Sequence, residues 1–201
     1  MSRIFVRIRT NNRSIRGPVP GILLALVLLT FGCTRMQKAS VGINDVCLRL
    51  TTIAKKPENF HCGYYAVTQV IQHYRPETTE EDIRTDSLLF VKANDTVSIF
   101  HCLKDNLPIP LTMKSERVDI LLESVALGNP VIVFMPGDAF AVGGLNFFGT
   151  WMLHCIVVTG HSADETKVFF YSDGNGPYVV SREKFAKQWA RVDNLCIIRT
   201  R

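Results

Sequence analysis

The sequence predicts an α+β domain, an N-terminal helical half packed on a C-terminal antiparallel sheet. Three observations point there. Between Cys62 and Leu127, apolar residues recur at helical spacing. After Pro130 the apolar runs are short, rich in Val, Ile and aromatic residues, and separated by Gly, Asn and Asp. Helices precede strands instead of alternating with them, which disfavours a parallel βαβ sheet. With 201 residues, 47% of them apolar, the chain can bury one core. No internal repeat or second domain interrupts the pattern.

The first helix is expected over Cys62–Tyr74, with Ala66, Val67, Val70, Ile71 and Tyr74 on one buried face. Pro57 and Asn59 precede it and Pro76 closes it. Thr78-Thr79-Glu80-Glu81 is a capping-box pattern that opens a second helix toward Leu88. A third follows Asp95 to Leu103. A fourth runs from Ser115 to Leu127, turning Val118, Leu121, Leu122 and Val125 inward and stopping at Gly128. Strands are expected at Val131–Met135, Met152–Thr159, Val168–Ser172, Tyr178–Val180 and Asn194–Arg199. Ser181 caps a short helix through Trp189.

The formal charge of +5 first suggests a nucleic-acid partner. Its distribution excludes one. Residues 1–32 hold five arginines and no acidic residue, which leaves 18 basic against 18 acidic residues for the remainder. The body is formally neutral and carries no basic run to follow a phosphate backbone. The basic start leads into the ten-residue run Ile22–Phe31, with Thr30 its one polar member. A spanning helix needs about 20 residues, so this run is the apolar region of a secretory signal. It ends in Leu29-Thr30-Phe31-Gly32-Cys33, which resembles a bacterial lipobox with Thr30 where leucine is commonest. Cys33 is then the lipidation site. The alternative is an ordinary signal peptide with a chance cysteine. A lipidated Cys33 fixes the protein to a membrane face.

The remaining cysteines are Cys47, Cys62, Cys102, Cys155 and Cys196, with no CxxC or CxxH pair among them. A structural zinc site is therefore not expected, nor any other metal or cofactor. An odd number of cysteines in an exported chain leaves at least one thiol outside intramolecular disulfides. Cys62 stands at the first turn of the first helix, where unpaired N–H groups and the helix dipole favour a thiolate. Gly63 beside it allows close backbone approach. Cys102 and Cys196 lie in apolar periodic stretches and read as core. Cys155 alternates with His154 and so faces the other side of its strand.

A thiolate needs a base and an orienting group. His61 adjoins Cys62, and its side chain diverges from it. His73 is three turns away, and His101 lies on a helix as a surface or core residue. His154 and His161 remain. A strand position favours His154, because it holds the ring better than the turn around His161. Asp173 ends the next strand, within reach of His154, and can fix the imidazole tautomer. Each residue also has a structural reading: Cys62 a buried cysteine at a helix start, His154 a satisfied core histidine, Asp173 a turn former before Gly174. The glycine-bearing stretch 137–149 reads as a cleft wall, a lid or a long connection.

Cys62-Gly63-Tyr64-Tyr65-Ala66 resembles the Cys-Gly start of the first helix in papain-like peptidases. The closest resemblance is to the bacteriocin-processing, double-glycine leader peptidases, family thirty-nine of the cysteine peptidases. Leu127-Gly128-Asn129-Pro130-Val131 is similar to that family's lead into the sheet, and His154–Gly160 to its histidine strand. Asp173-Gly174 stands where the family has its aspartate, and Phe185 and Trp189 match its closing helix. The resemblance covers about residues 54–199. It implies a papain-like fold with Cys62 as nucleophile, His154 as base and Asp173 as orienter. It also implies a peptide or protein substrate.

The family carries a glutamine five or six residues before the cysteine, a donor to the oxyanion hole. Here those positions are Pro57 and Lys56. Losing one such donor costs about 10²–10³ in rate. The expected organisation is a lipoprotein-type signal peptide over 1–32, a tether and lead-in over 33–50, and a papain-like peptidase domain over 51–201. The expected location is the bacterial cell envelope, at the outer membrane or periplasmic face in a Gram-negative cell, with an export or envelope partner. Two further readings stay open: an acyl or peptidyl transferase on the same three residues, and a binding module that keeps the fold without activity.

Overall fold

The computed structural model describes residues 36–54, 62–83, 95–139 and 153–200. The expected signal sequence and Cys33 lie outside these residues, as do Lys56, Pro57, Asn59 and His61. The rest of the second expected helix and most of the stretch 137–149 also lie outside them.

Helix α1, Cys62–Tyr74, starts and ends as expected, yet it is buried on all sides from Cys62 to Ile71. Ala66, Val67, Val70 and Ile71 join the main core on one side, while Tyr64 and Tyr65 pack with Ile53 on another. Asp95 caps α2, Thr96–Asn106, accepting from the Val97 and Ser98 N–H groups at 3.2 Å each. Thr79 and Asp82 bond each other reciprocally, and residues 80–83 form a turn. Helix α3, Val118–Ala126, begins three residues later than expected, because Leu111–Ser115 is taken by a strand. Gly128 ends it with φ +84°, a conformation glycine adopts without steric cost.

Eight strands form one sheet: β1 Gln37–Lys38, β2 Val46–Cys47, β3 Leu111–Ser115, β4 Val131–Pro136, β5 Leu153–His161, β6 Lys167–Ser172, β7 Asn175–Ser181 and β8 Leu195–Arg199. The order is β1-β7-β6-β5-β4-β8-β3, every pair antiparallel, and β2 also pairs with β5. Residues 37–38 and 46–47, expected within a tether and lead-in, thus pair into the sheet. Strand β3 was not expected: Leu-Thr-Met-Lys-Ser is a short, half-exposed edge strand with little apolar alternation.

The helical half packs on the sheet as expected, and a second helical layer covers the sheet's other face. Helices α1 and α2 cover one face of the sheet, against Ile132, Phe134, Cys155, Val157, Tyr171 and Ile197. Helix α3 and α4, Arg182–Trp189, cover the other, against Val131, Val133, Met135, Ile156, Val158 and Phe170. Every residue of β4 is buried, and so is Cys155–His161 of β5. Unbroken apolar runs of this kind mark strands covered on both faces. Half of the α4 segment is charged, and it is too short to be stable alone. Complete burial of Phe185 and Trp189 docks it, each contributing about 1.5–3 kcal/mol.

Residues 48–54 run as a strap from β5 past α1 to the turn after β6. Leu48 N–H donates to Thr159 O at 2.8 Å and Ile53 N–H to Gly174 O at 3.0 Å, while Gln69 Nε2 of α1 donates to Thr51 O at 2.9 Å. The strap is why α1 is buried on more than its sheet-facing side. It enters through β2, whose Val46 and Cys47 lie beside His161 and Gly160. A Cβ on Gly160 would collide with the Val46 carbonyl oxygen and stand 2.8 Å from Cys47 Cα, so only glycine permits this crossing.

Candidate active site

Cys62 is the first residue of α1, where the dipole and unpaired amides favour a negative sulfur. Its side chain points at the beginning of β5. There the β5–β6 ladder ends at the pair Ile156↔Ser172, and Asp173, with φ 48°, turns the chain away. The Cys155 N–H lies beyond that last rung. It donates to Cys62 Sγ at 3.2 Å, so the sulfur takes the place of a ladder acceptor. The His154 and Cys155 side chains both lie close enough to the same sulfur to act on its charge.

His154 Nε2 lies 2.8 Å from Ser172 Oγ. Ser172 is buried. Two charged forms support each other here. The Cys155 thiol, hydrogen-bonded to Cys62 Sγ, pulls the Cys62 thiol well below its ordinary value; burial opposes this, and His154 adds to it. For His154, burial disfavours the charged ring. The hydrogen bond with Cys62, the charge of Cys62 and the charge of Asp173 outweigh burial and raise it. A thiolate–imidazolium pair is the result.

Of the expected site residues, the fold brings Cys62 and His154 together. Asp173 stands near enough for its charge to act on His154. The hydrogen bond to the ring, however, comes from Ser172, which the sequence reading did not single out. The reason is a register shift in the β5–β6 hairpin between Val158 and Gly160. Counted from the turn without that shift, Ile156 faces Asp173, which puts Asp173 on the His154 face. One extra residue on β5 moves Ser172 there instead. Gly160 inside an apolar strand was the available signal, since a glycine there marks an irregularity or a close approach.

The other histidines serve elsewhere. His73 donates from Nε2 to Gly128 O at 2.9 Å, His161 is buried with Nδ1 2.9 Å from Ser162 O, and His101 is exposed on α2. Cys102 and Cys196 are buried, as expected. Cys155 also lies on the face expected for it, opposite to His154 along the strand. That face is the α1 side, which is how it meets Cys62. Among the described residues, no group of three or more His, Cys, Asp or Glu could hold a metal ion.

This architecture, a helix presenting a thiol to a histidine on an antiparallel sheet, is papain-like. Solved structures share the fold. The chain is similar to a C39-like peptidase from Bacillus anthracis, with TM-score 0.58 and 17% identity, over 78% of this chain and 98% of that one. It is also similar to the peptidase domain of Streptococcus ComA, a bifunctional ABC transporter involved in quorum sensing. There the TM-score is 0.49 at 18% identity, over 76% and 97% of the two chains. A double-glycine motif protease from an AMS/PCAT transporter, solved with its leader peptide, gives TM-score 0.49 and 15% identity over 79% and 95%. The fold is that of the C39 bacteriocin-processing peptidases. No protein-family profile matches the sequence, and no curated protein does.

Proposed function

We propose that the protein is a cysteine peptidase acting through Cys62 and His154, with Ser172 and Asp173 supporting the histidine. The observation that carries this reading is the setting of one sulfur: a helix-start thiol that accepts the Cys155 N–H at 3.2 Å, beside a histidine ring that acts on its charge. The thiolate attacks the carbonyl carbon of a peptide bond. His154, already charged, gives its proton to the departing amine, which leaves an acyl-enzyme and a neutral ring. The ring then takes a proton from water, which attacks the thioester and frees the acid. The Cys62 N–H at the helix start is one donor for the oxyanion.

The test uses the full chain. Iodoacetamide at neutral pH should label Cys62 ahead of every other cysteine. A peptide library should acquire new N-termini with the wild type and none with Cys62→Ala. Equal labelling and no cleavage would leave the binding-module reading. Capture of the acyl group by amines in preference to water would point to the transferase.

We also propose that the protein is exported and held at the cell envelope through a lipidated Cys33, after the basic start and the run Ile22–Phe31. Among the described residues, no helix is long and apolar enough to cross a membrane. Cys33→Ala should move the protein from the membrane fraction to the soluble one. Unchanged partitioning would remove the anchor.

A further inference from the structure

The mechanism above gives one reactive group no covalent role. Cys155 is buried, and its backbone N–H donates to the Cys62 sulfur at 3.2 Å, which sets its own thiol beside that sulfur. A thiol here places a second sulfur beside Cys62 Sγ. The other described cysteines are engaged elsewhere. Cys47 bonds Leu48 O at 3.9 Å, Cys102 receives Asn106 Nδ2 at 3.7 Å, and Cys196 donates to Lys114 O at 3.4 Å.

We propose that Cys62 and Cys155 form a reversible redox site, in which a peroxide closes a disulfide that silences the nucleophile and small thiols reopen it. This rests on the reading of Cys62 as the reactive thiol. The Cys62 thiolate attacks one oxygen of hydrogen peroxide. An S–O bond forms, the O–O bond breaks, and the departing hydroxide takes the His154 proton and leaves as water. Cys62 is now a sulfenic acid. The Cys155 sulfur attacks it, an S–S bond forms, and the S–O bond breaks. The released hydroxide combines with the Cys155 proton as a second water. Two thiols have lost two electrons, and the peroxide has gained them.

The surroundings favour the second step. The hydrogen bond to the Cys62 thiolate is the first cause that holds the Cys155 thiol protonated, ahead of burial. Oxidation of Cys62 removes that thiolate, and His154, relieved of its proton, becomes a base for Cys155. The sulfenic acid is therefore intercepted before a second peroxide can carry it to the irreversible sulfinic acid.

The test treats the reduced full chain with hydrogen peroxide, then alkylates it and maps its peptides by mass spectrometry. Wild type should yield a Cys62–Cys155 linked peptide, lose peptide cleavage, and regain it with dithiothreitol. Cys155→Ser keeps a hydrogen-bond donor but cannot link. Judged against its own untreated activity, it should lose cleavage permanently as Cys62 accumulates as sulfinic acid. Cys155→Ala serves in its place should the serine variant fail to fold. An active wild type whose Cys155 stays alkylatable after peroxide, or whose Cys62 links to another cysteine, would overturn the pair and leave the peptidase intact. A reduced protein that shows neither cleavage nor preferential Cys62 labelling would overturn the peptidase. In that case a Cys62–Cys155 link still supports the pair, and its absence removes both.

Discussion

His154 Nε2 and the Ser172 hydroxyl oxygen lie 2.8 Å apart, although the two residues belong to neighbouring strands and are not opposite each other in the ladder. The contact is diagonal. Ser172 faces Ile156, and His154 is two residues before Ile156 on the same face. A neutral hydroxyl fixes the ring but contributes no charge to its protonated form. The charge comes from Asp173, one residue on.

The two tasks should separate by mutation. Ser172→Ala should lower kcat/KM by about 10²-fold through loss of ring orientation, and Ser172→Thr, which retains the hydroxyl, should recover part of it. Asp173→Asn suits the left-handed backbone at that position, φ 48°. It should move the alkaline limb of the pH–rate profile to lower pH and leave the plateau nearly unchanged. A silent Ser172→Ala beside an inactive Asp173→Asn would reverse the assignment.

The pH dependence follows from the two opposed shifts. Cys62 is held well below its ordinary value, so the thiolate persists as pH falls and is lost only below that depressed value. His154 is raised, so the imidazolium persists as pH rises until its raised value is passed. Activity should therefore rise on the acid side with Cys62 and fall on the alkaline side with His154. The Cys155 thiol is the first cause of the Cys62 depression. Cys155→Ala should move the acid limb to higher pH, and Cys155→Ser should move it less. Profiles of kcat/KM against pH for the three proteins decide this; coincident acid limbs would remove the thiol from the account.

Gly160 gives a prediction about stability. A methyl group there meets the Val46 carbonyl and the Cys47 backbone, neither of which can yield as a flexible side chain does. Gly160→Ala should destabilise the fold by about 1–3 kcal/mol, read as a lower urea midpoint with little change in slope. A midpoint equal to wild type would mean that β2 can leave its place beside β5 at little cost.

Much of the fold was legible in the sequence because the signals were local. The 3.6-residue period of α1, the Asp95 and Ser181 caps and the apolar runs of β4 and β5 each depend on a few adjacent residues. The contact between Cys62 and His154 was also legible, since a helix-start thiol and a strand histidine each declare their chemistry. What was hidden depends on pairing across the sheet. Strand β3 exists because β8 offers it an edge, and α3 starts late for the same reason. The third layer depends on where α3 and α4 dock. Ser172 has no local mark; its role comes from a one-residue shift 12 residues earlier along the hairpin, near Gly160.

The strap over residues 48–54 has a practical consequence for anyone cutting the gene. It staples the helix that carries Cys62, at Gln69, to the turn that follows Ser172, at Gly174. A recombinant fragment trimmed to begin at residue 55 would keep Cys62 and His154 and sever the tie between their supports. The shortest faithful fragment starts upstream of β1, near residue 36, where the chain first joins the sheet.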